Sequence, residues 1–271
     1  MTTPNSDKAF TGSVPHVYET HLVPLLFEDY ADDMVRRVAA AAPVRILELA
    51  AGTGVVTRRL AKALPEASIV ATDVNQAMLD EAAAVGTPRP VEWRQADATS
   101  LPFADGSFDA VVCQFGVMFF PDKATAHGEV WRVLAPGGLY VFSVWDRLDA
   151  NEFADLVHEA VAAVFPENPP RFLARAPYGY FDLAVVRRDL AAGGFTAAPH
   201  IETIALRSRA PSPRGPAMGY CQGSPLRAEI EARDPARLAL VTDTAAEAIA
   251  QRFGRGAVEA GIRAHVVTVG R

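Results

Sequence analysis

Three carboxylates stand at the ends of short apolar runs: Glu48 in RILELAAGTG, Asp73 in ATDVNQAML and Asp97 in RQADATSLPF. A carboxylate inside the first run disfavours a pyrophosphate nearby and favours a cationic ligand. An acid closing the second run can accept hydrogen bonds from both hydroxyls of a ribose, the geometry that dinucleotide enzymes use. Asp97 can accept from an exocyclic adenine amino group, beside the backbone N–H of Ala98. The turn Ala50-Ala-Gly52-Thr53-Gly54 brings a ligand close to the backbone, because glycine interposes no Cβ. A dinucleotide fingerprint needs Gly or Ala where Thr57 stands. Gln114-Phe115-Gly116 follows another apolar run and adds an aromatic face. Adenosine with a positive charge and no phosphate is the ligand these groups match. Each residue also has a plainer reading: Glu48 as a buried acid paired with Lys or Arg, Asp73 as a helix N-cap, Asp97 as a solvated turn acid, Phe115 as core.

Positioning these acids together requires alternating strands and helices. Val44–Leu49, Ser68–Thr72, Val91–Gln95, Phe108–Cys113 and Leu139–Trp145 read as strands. Val55–Leu64, Gln76–Val85 and Pro121–Leu134 read as helices between them, ended by Pro65, Gly86 and the Pro136-Gly137-Gly138 turn. Such alternation implies a doubly wound parallel sheet whose strand ends open onto one crevice at the switch point. Residues 1–15 read as a loose lead, and 16–41 as a helical pattern broken at Pro24. Farther on, Phe153–Phe165 and Leu183–Ala192 read as helices and Ile201–Arg207 as a strand. A Pro-rich stretch, Ala210–Ala217, precedes helical runs Pro225–Ala232 and Pro235–Phe253, and Gly261–Val269 closes the chain as a strand.

The 271 residues carry 26 basic against 32 acidic side chains, a net charge of −6. That argues against a nucleic-acid partner and favours a small molecule. Two distant cysteines, Cys113 and Cys221, make no disulfide framework and fit a reducing cytosol. The polar start lacks the apolar stretch of a signal peptide, and no apolar run reaches about 18 residues, so a cytoplasmic protein without a membrane span is expected.

ILELAAGTG, ATDVNQAML, QADATSLPFADGSFDAVVCQFGVMFFPD and EVWRVLAPGGLYVFSVW resemble the successive signatures of class I S-adenosylmethionine-dependent methyltransferases, of the ubiquinone/menaquinone-biosynthesis methylase-like subgroup. The lead GSVPHVYETHLVPLLFEDYADDMVRR is similar to a lid helix of some members. The resemblance implies a Rossmann-like α/β methyltransferase sheet of six parallel strands plus an antiparallel seventh, with a helical cap. Residues 1–42 would be the lid, and 43–271 the S-adenosylmethionine-binding domain with a cap insertion at about 209–256. Glu48 and the Ala50–Gly54 turn, with Thr53, would then hold the methionine moiety. Asp73 would take the ribose hydroxyls, Val74 and Met78 would flank the adenine, and Asp97 with Ala98 would read its edge; Gln114 and Phe115 complete the cofactor set.

Two departures stand out. Ala50 replaces the first glycine of the turn, tolerable where its backbone keeps a negative φ. Met118-Phe119-Phe120 stands where relatives carry a His pair or His-Trp, so no catalytic imidazole is expected there. Phe119, Phe120, Trp145, Tyr18 and Phe27 are the candidates to line a pocket for a small organic acceptor. In-line displacement at a sulfonium methyl depends mainly on alignment in a dry cavity, and no general base or metal ligand set can be named. Two other functions share this sequence: a non-catalytic module binding S-adenosylmethionine or its demethylated product, and a nicotinamide-dependent oxidoreductase, against which Glu48 and Thr57 speak. Glu129 with Arg132 reads as a structural pair, Cys113 as a small core residue, and Tyr220–Arg227 as a loop.

Overall fold

The computed structural model describes residues 10–271; the first nine residues of the expected loose lead lie outside the described residues. Helix α1 (Val14–Val17) passes into a π-helical segment (Tyr18–Phe27) and then α2 (Glu28–Ala40). β1 (Arg45–Glu48), α3 (Val55–Ala63), β2 (Ser68–Asp73), α4 (Gln76–Val85), β3 (Glu92–Gln95) and β4 (Phe108–Gln114) alternate as the apolar periodicity predicts. α5 (Lys123–Val133), β5 (Leu134–Trp145), α6 (Glu152–Val164), α7 (Phe172–Arg175), α8 (Leu183–Ala192) and β6 (His200–Ala210) follow. The chain closes with α9 (Arg214–Gln222), α10 (Leu226–Glu231), α11 (Leu238–Phe253) and β7 (Val258–Gly270).

The seven strands form one sheet in the order β3-β2-β1-β4-β5-β7-β6. β1 pairs in parallel with β2 and β4, β2 with β3, and β4 with β5, while β7 runs antiparallel to β5. This is the expected sheet of six parallel strands and one antiparallel seventh. Strand order reverses between β1 and β4, so the switch-point crevice lies beyond Glu48 and Gln114.

By internal packing the described chain divides into two compact units. The sheet unit comprises Glu28–Trp145, Tyr180–Ile204 and Ala264–Arg271. Its centre is apolar on both faces, with Ile46, Leu47, Val111, Val112, Phe142 and Val267 all buried, as strands covered by helices require. Within it α2 packs on β4 and β5, and Tyr30 Oη donates to the Ile204 carbonyl at 3.0 Å. The helical unit takes the described residues up to Phe27, Asp146–Gly179 and Ala205–Arg263. There α11 packs on α6 and α9, and the buried Glu229 pairs with Arg175 at 2.7 Å. The units divide the lead after Phe27, and the helical one takes in Asp146–Gly179.

Several local expectations are corrected. Pro24 does not break the lead helix; it lies inside the π-helical segment. In an α-helix its ring would clash with the Thr20 carbonyl, and the wider π winding relieves that contact. The Pro136-Gly137-Gly138 turn does not end a helix before a strand, but interrupts β5. Phe108 pairs with Leu134 and Ala110 with Leu139, so the intervening residues bulge out of the ladder. A side chain at Gly138 would meet the Ala135 and Asp109 carbonyls at 2.8 and 3.1 Å. The Pro-rich stretch turns helical at Arg214, with Pro216 in the first turn of α9, where a missing N–H costs no intrahelical bond. Tyr220–Arg227 is not a loop throughout: Tyr220 and Cys221 are buried in α9, and Leu226 opens α10.

Candidate functional site

β1 delivers Glu48 to the crevice, and the chain then turns sharply into α3. The turn is fixed by backbone bonds: Leu49 N–H to Val112 O at 2.8 Å, Ala51 N–H to Thr72 O at 2.9 Å, and Gly54 N–H to Ala51 O at 2.9 Å. Ala50, Gly52 and Gly54 all take positive φ, at 51°, 56° and 84°. The condition under which an alanine here would be unstrained, a negative φ, is therefore not met. The turn demands a left-handed residue at its first position, and Ala50 adopts it against the steric preference of its own Cβ. A Cβ at Gly54 would lie 2.8 Å from the Trp93 ring, so glycine there is a packing requirement.

Glu48 is 2% exposed, and its Oε2 accepts from the Thr57 hydroxyl at 2.6 Å. Burial, reinforced by the nearby Asp73, pushes this carboxyl up to about 8, against the lowering influence of Thr57 and Arg58. The plainer reading, an acid in an ion pair, does not describe it, since its hydrogen-bond donor is a hydroxyl. Thr57 was noticed in the sequence only as a break in the dinucleotide fingerprint. Its place in the first turn of the helix following the acid is the signal that it reaches back to Glu48.

Asp73 ends β2, in register with Gln95 of β3. Its Oδ2 accepts the Gly52 N–H at 3.0 Å and its Oδ1 the Asn75 N–H at 2.8 Å. The carboxylate thus ties the two turns together, and the N-cap of α4 is Asn75 rather than Asp73. Burial raises the Asp73 carboxyl, and the Asn75 and Gly52 N–H groups oppose the shift. Val74 is exposed beside it, whereas Met78 is buried. Beyond β3, Asp97 accepts from the Thr99 N–H at 2.9 Å and hydroxyl at 2.7 Å in a local turn, with Ala98 buried next to it. The Ala96 N–H bonds to Asp73 O at 3.0 Å, fastening this turn to the end of β2. The three acids therefore occupy the carboxyl ends of three adjacent strands.

At the end of β4, Gln114 is half-buried and Phe115 takes a positive φ of 52°. The Phe115 ring stacks on Trp145 at 3.8 Å and 3°, and Tyr30 meets both rings edge-on at 5.2 and 5.5 Å. The sequence assigned Phe115 to the cofactor and Trp145 to the acceptor; the structure puts them in one buried stack, with Tyr30 as the third member that the sequence did not suggest. A Cβ at Gly116 would fall 2.5 Å from the Ala50 Cβ and 2.7 Å from Cys113 Sγ. The β1 and β4 turns thus meet at these two residues, the Ala50 methyl taking the space that a side chain at 116 would need.

Phe119 and Phe120 are half-buried in and just after a short 3₁₀ turn. The Phe120 carbonyl accepts from Lys123 Nζ at 3.0 Å, and that ammonium lies 4.9 Å from the centre of the Tyr180 ring. In the helical unit, Tyr18 and Phe27 stack at 5.2 Å and 24°. In an α-helix two residues this far apart in sequence would point to opposite sides; the π winding brings them together. Glu129 and Arg132 form the structural pair expected of them, at 2.7 Å.

A family profile described as "Methyltransferase domain" matches residues 47–142, the span holding all three acids. A demethylmenaquinone methyltransferase of Thermus thermophilus is 47% identical over 102 residues, 37% of this chain and 46% of that protein. The chain spans about half the length of the first curated relatives it matches. A demethylmenaquinone methyltransferase of Corynebacterium urealyticum is 34% identical over 169 residues, 59% of this chain and 71% of that protein. The chain belongs to the class I S-adenosylmethionine-dependent methyltransferases. Within them it is of the ubiquinone/menaquinone-biosynthesis methylase-like subgroup. The fold of this methyltransferase is also that of YcgJ from Bacillus subtilis, with a TM-score of 0.57 at 19% identity over 90% of this chain and 98% of the other.

As a member of that family the methyltransferase takes S-adenosylmethionine as its cofactor. The residues present fit such a group. Thr53 Oγ1 is buried in the glycine turn without a hydrogen-bond partner among the described residues, an arrangement that calls for a ligand or a water. Around it stand two buried carboxyls and a backbone held open by glycines, a donor and acceptor set suited to a cationic nucleoside.

Proposed function

We propose that this chain catalyses methyl transfer from S-adenosylmethionine to a small organic acceptor by in-line displacement. The observation that carries the reading is the pair of buried carboxyls, Glu48 and Asp73, on adjacent strand ends and, among the described residues, without an arginine or lysine hydrogen-bonded to either. Bound there, the cofactor supplies an electrophilic methyl group on a sulfonium. Glu48, held by the Thr57 hydroxyl, would face the cationic end, whose charge favours release of the Glu48 proton to solvent. Asp73 keeps lone pairs beyond those facing Gly52 and Asn75, and offers them to the ribose hydroxyls. Val74 and Met78 would flank the base, and Asp97, Ala98 and Gln114 would meet its edge.

The acceptor side carries no imidazole at Met118-Phe119-Phe120, which supports an acceptor that needs no histidine base. The half-buried rings of Phe119 and Phe120 supply apolar surface that excludes water from the reacting atoms. The relatives named as demethylmenaquinone methyltransferases support an apolar ring compound as the first class to assay. The full chain, incubated with S-adenosylmethionine labelled in its methyl carbon and a panel of quinols, phenols and amines, should pass label to at least one. Binding of the cofactor with no transfer to any member, or to a metabolite extract, would favour the non-catalytic reading instead.

A further inference from the structure

The helical unit contains a cavity of about 620 Å³ that the proposed chemistry does not use, a size typical of small-molecule sites. Its lining includes the apolar Pro24, Leu25 and Met218 together with His21, Arg209 and Arg214. Arg209 meets Glu259 through Nε at 2.6 Å, and Arg214 meets Asp243 through Nη1 at 2.5 Å. A guanidinium has five N–H donors, so each arginine has further donors to offer. Glu259 is shared with Arg207 at 2.7 Å, so Arg209 does not have this carboxylate to itself. Burial and the neighbouring His16 hold the His21 imidazole below the ordinary histidine range; it enters as a neutral hydrogen-bonding group. One wall is the π-helical segment, which contributes Thr20, His21, Pro24 and Leu25. Such winding is rare and concentrates at functional sites, and a second wall is pinned to it where Ser208 Oγ donates to the Leu25 carbonyl at 2.7 Å.

We propose that this cavity is a binding site for a small organic carboxylate with an apolar body, its carboxylate on Arg209 and Arg214 and its body on Pro24, Leu25 and Met218. A planar guanidinium fork matches a planar carboxylate, and the apolar lining takes the remainder of such a ligand. The inference stands apart from methyl transfer and is tested on the cofactor-free full chain. Calorimetry with 3-phenylpropionate should give saturable binding, at least about tenfold tighter than the neutral 3-phenylpropanamide, the scale of a lost charge-assisted bond. The double variant Arg209→Gln/Arg214→Gln, both arginines being more than half exposed, should lose the acid's binding by a similar factor while its thermal melting and S-adenosylmethionine affinity stay those of the parent. Met218→Trp, which enlarges a lining side chain, should weaken acid and amide alike. Equal affinity for acid and amide, acid binding untouched by the double variant, or no binding of either compound would overturn the proposal. Titration of S-adenosylmethionine in parallel separates that failure from failure of the methyltransferase reading.

Discussion

Glu48 and Asp73 are both buried carboxyls, yet their surroundings treat them differently. Burial raises both; two backbone N–H groups oppose the shift at Asp73, while Glu48, with the Thr57 hydroxyl, is pushed up to about 8. A carboxyl whose folded value lies above its unfolded 4.5 stabilises the folded state fully below pH 4.5 and loses that contribution as pH rises through 8. Glu48→Gln keeps a group that accepts from Thr57 and cannot ionise. Urea unfolding of the cofactor-free protein should therefore show the variant gaining on the parent between about pH 5 and about pH 9; Asp73, common to both proteins, cancels in the difference. A difference constant with pH would mean that Glu48 is charged throughout.

Among the elements, the two turns at the switch point are coupled through Ala50 and Gly116. Gly116→Ala places a methyl into the Ala50 Cβ and Cys113 Sγ and should destabilise by about 1–3 kcal/mol, the usual range for an overfilled core. Adding Ala50→Gly removes one of the two clashes and relieves a left-handed alanine. The double variant should accordingly be more stable than the sum of the single effects, by calorimetric melting. Strict additivity would mean that the turns do not touch. The sheet elements were legible because apolar runs bounded by Gly and Pro leave little freedom: β1 to β4 and their helices lie within a residue or two of the sequence reading. The sign of φ at Ala50 was not legible, since it is imposed by the bonds of Ala51 and Gly54 to residues elsewhere in the turn and in β2. Nor was the π winding around Pro24, because a proline in a helical pattern signals a break unless packing holds the helix together. The stack of Phe115 on Trp145 joins residues of two strands, which local spacing does not reveal.

At the scale of the whole molecule, the sheet unit carries the family's signatures, and the helical unit, gathered from three separated stretches, has no sequence period that announces it. Acid tolerance is a property of the whole fold, and His127 bears on it. The ring is fully buried near Tyr140 and Phe142, with neither nitrogen hydrogen-bonded among the described residues. Burial lowers it to about 4, with Asp189 opposing and Lys123 assisting. A depressed value contributes stability above 6.5 that is lost as pH falls through 4. Relative to His127→Leu, the parent should lose about 3 kcal/mol between these limits, at about 1.4 kcal/mol per pH unit. A parallel pH dependence of the two proteins, by urea unfolding, would show that the ring meets water.

The central claim is that the strand-end acids of the sheet unit receive a cationic adenosine compound. Calorimetric titration of the full chain and of Asp73→Ala with S-adenosylmethionine and with NAD tests it most directly. The parent should bind S-adenosylmethionine and not NAD, and the variant should bind it more weakly by about 1.5–3 kcal/mol, the scale of hydrogen bonds to a charged group. Binding of NAD alone, or an affinity for S-adenosylmethionine that the loss of Asp73 leaves unchanged, would contradict it.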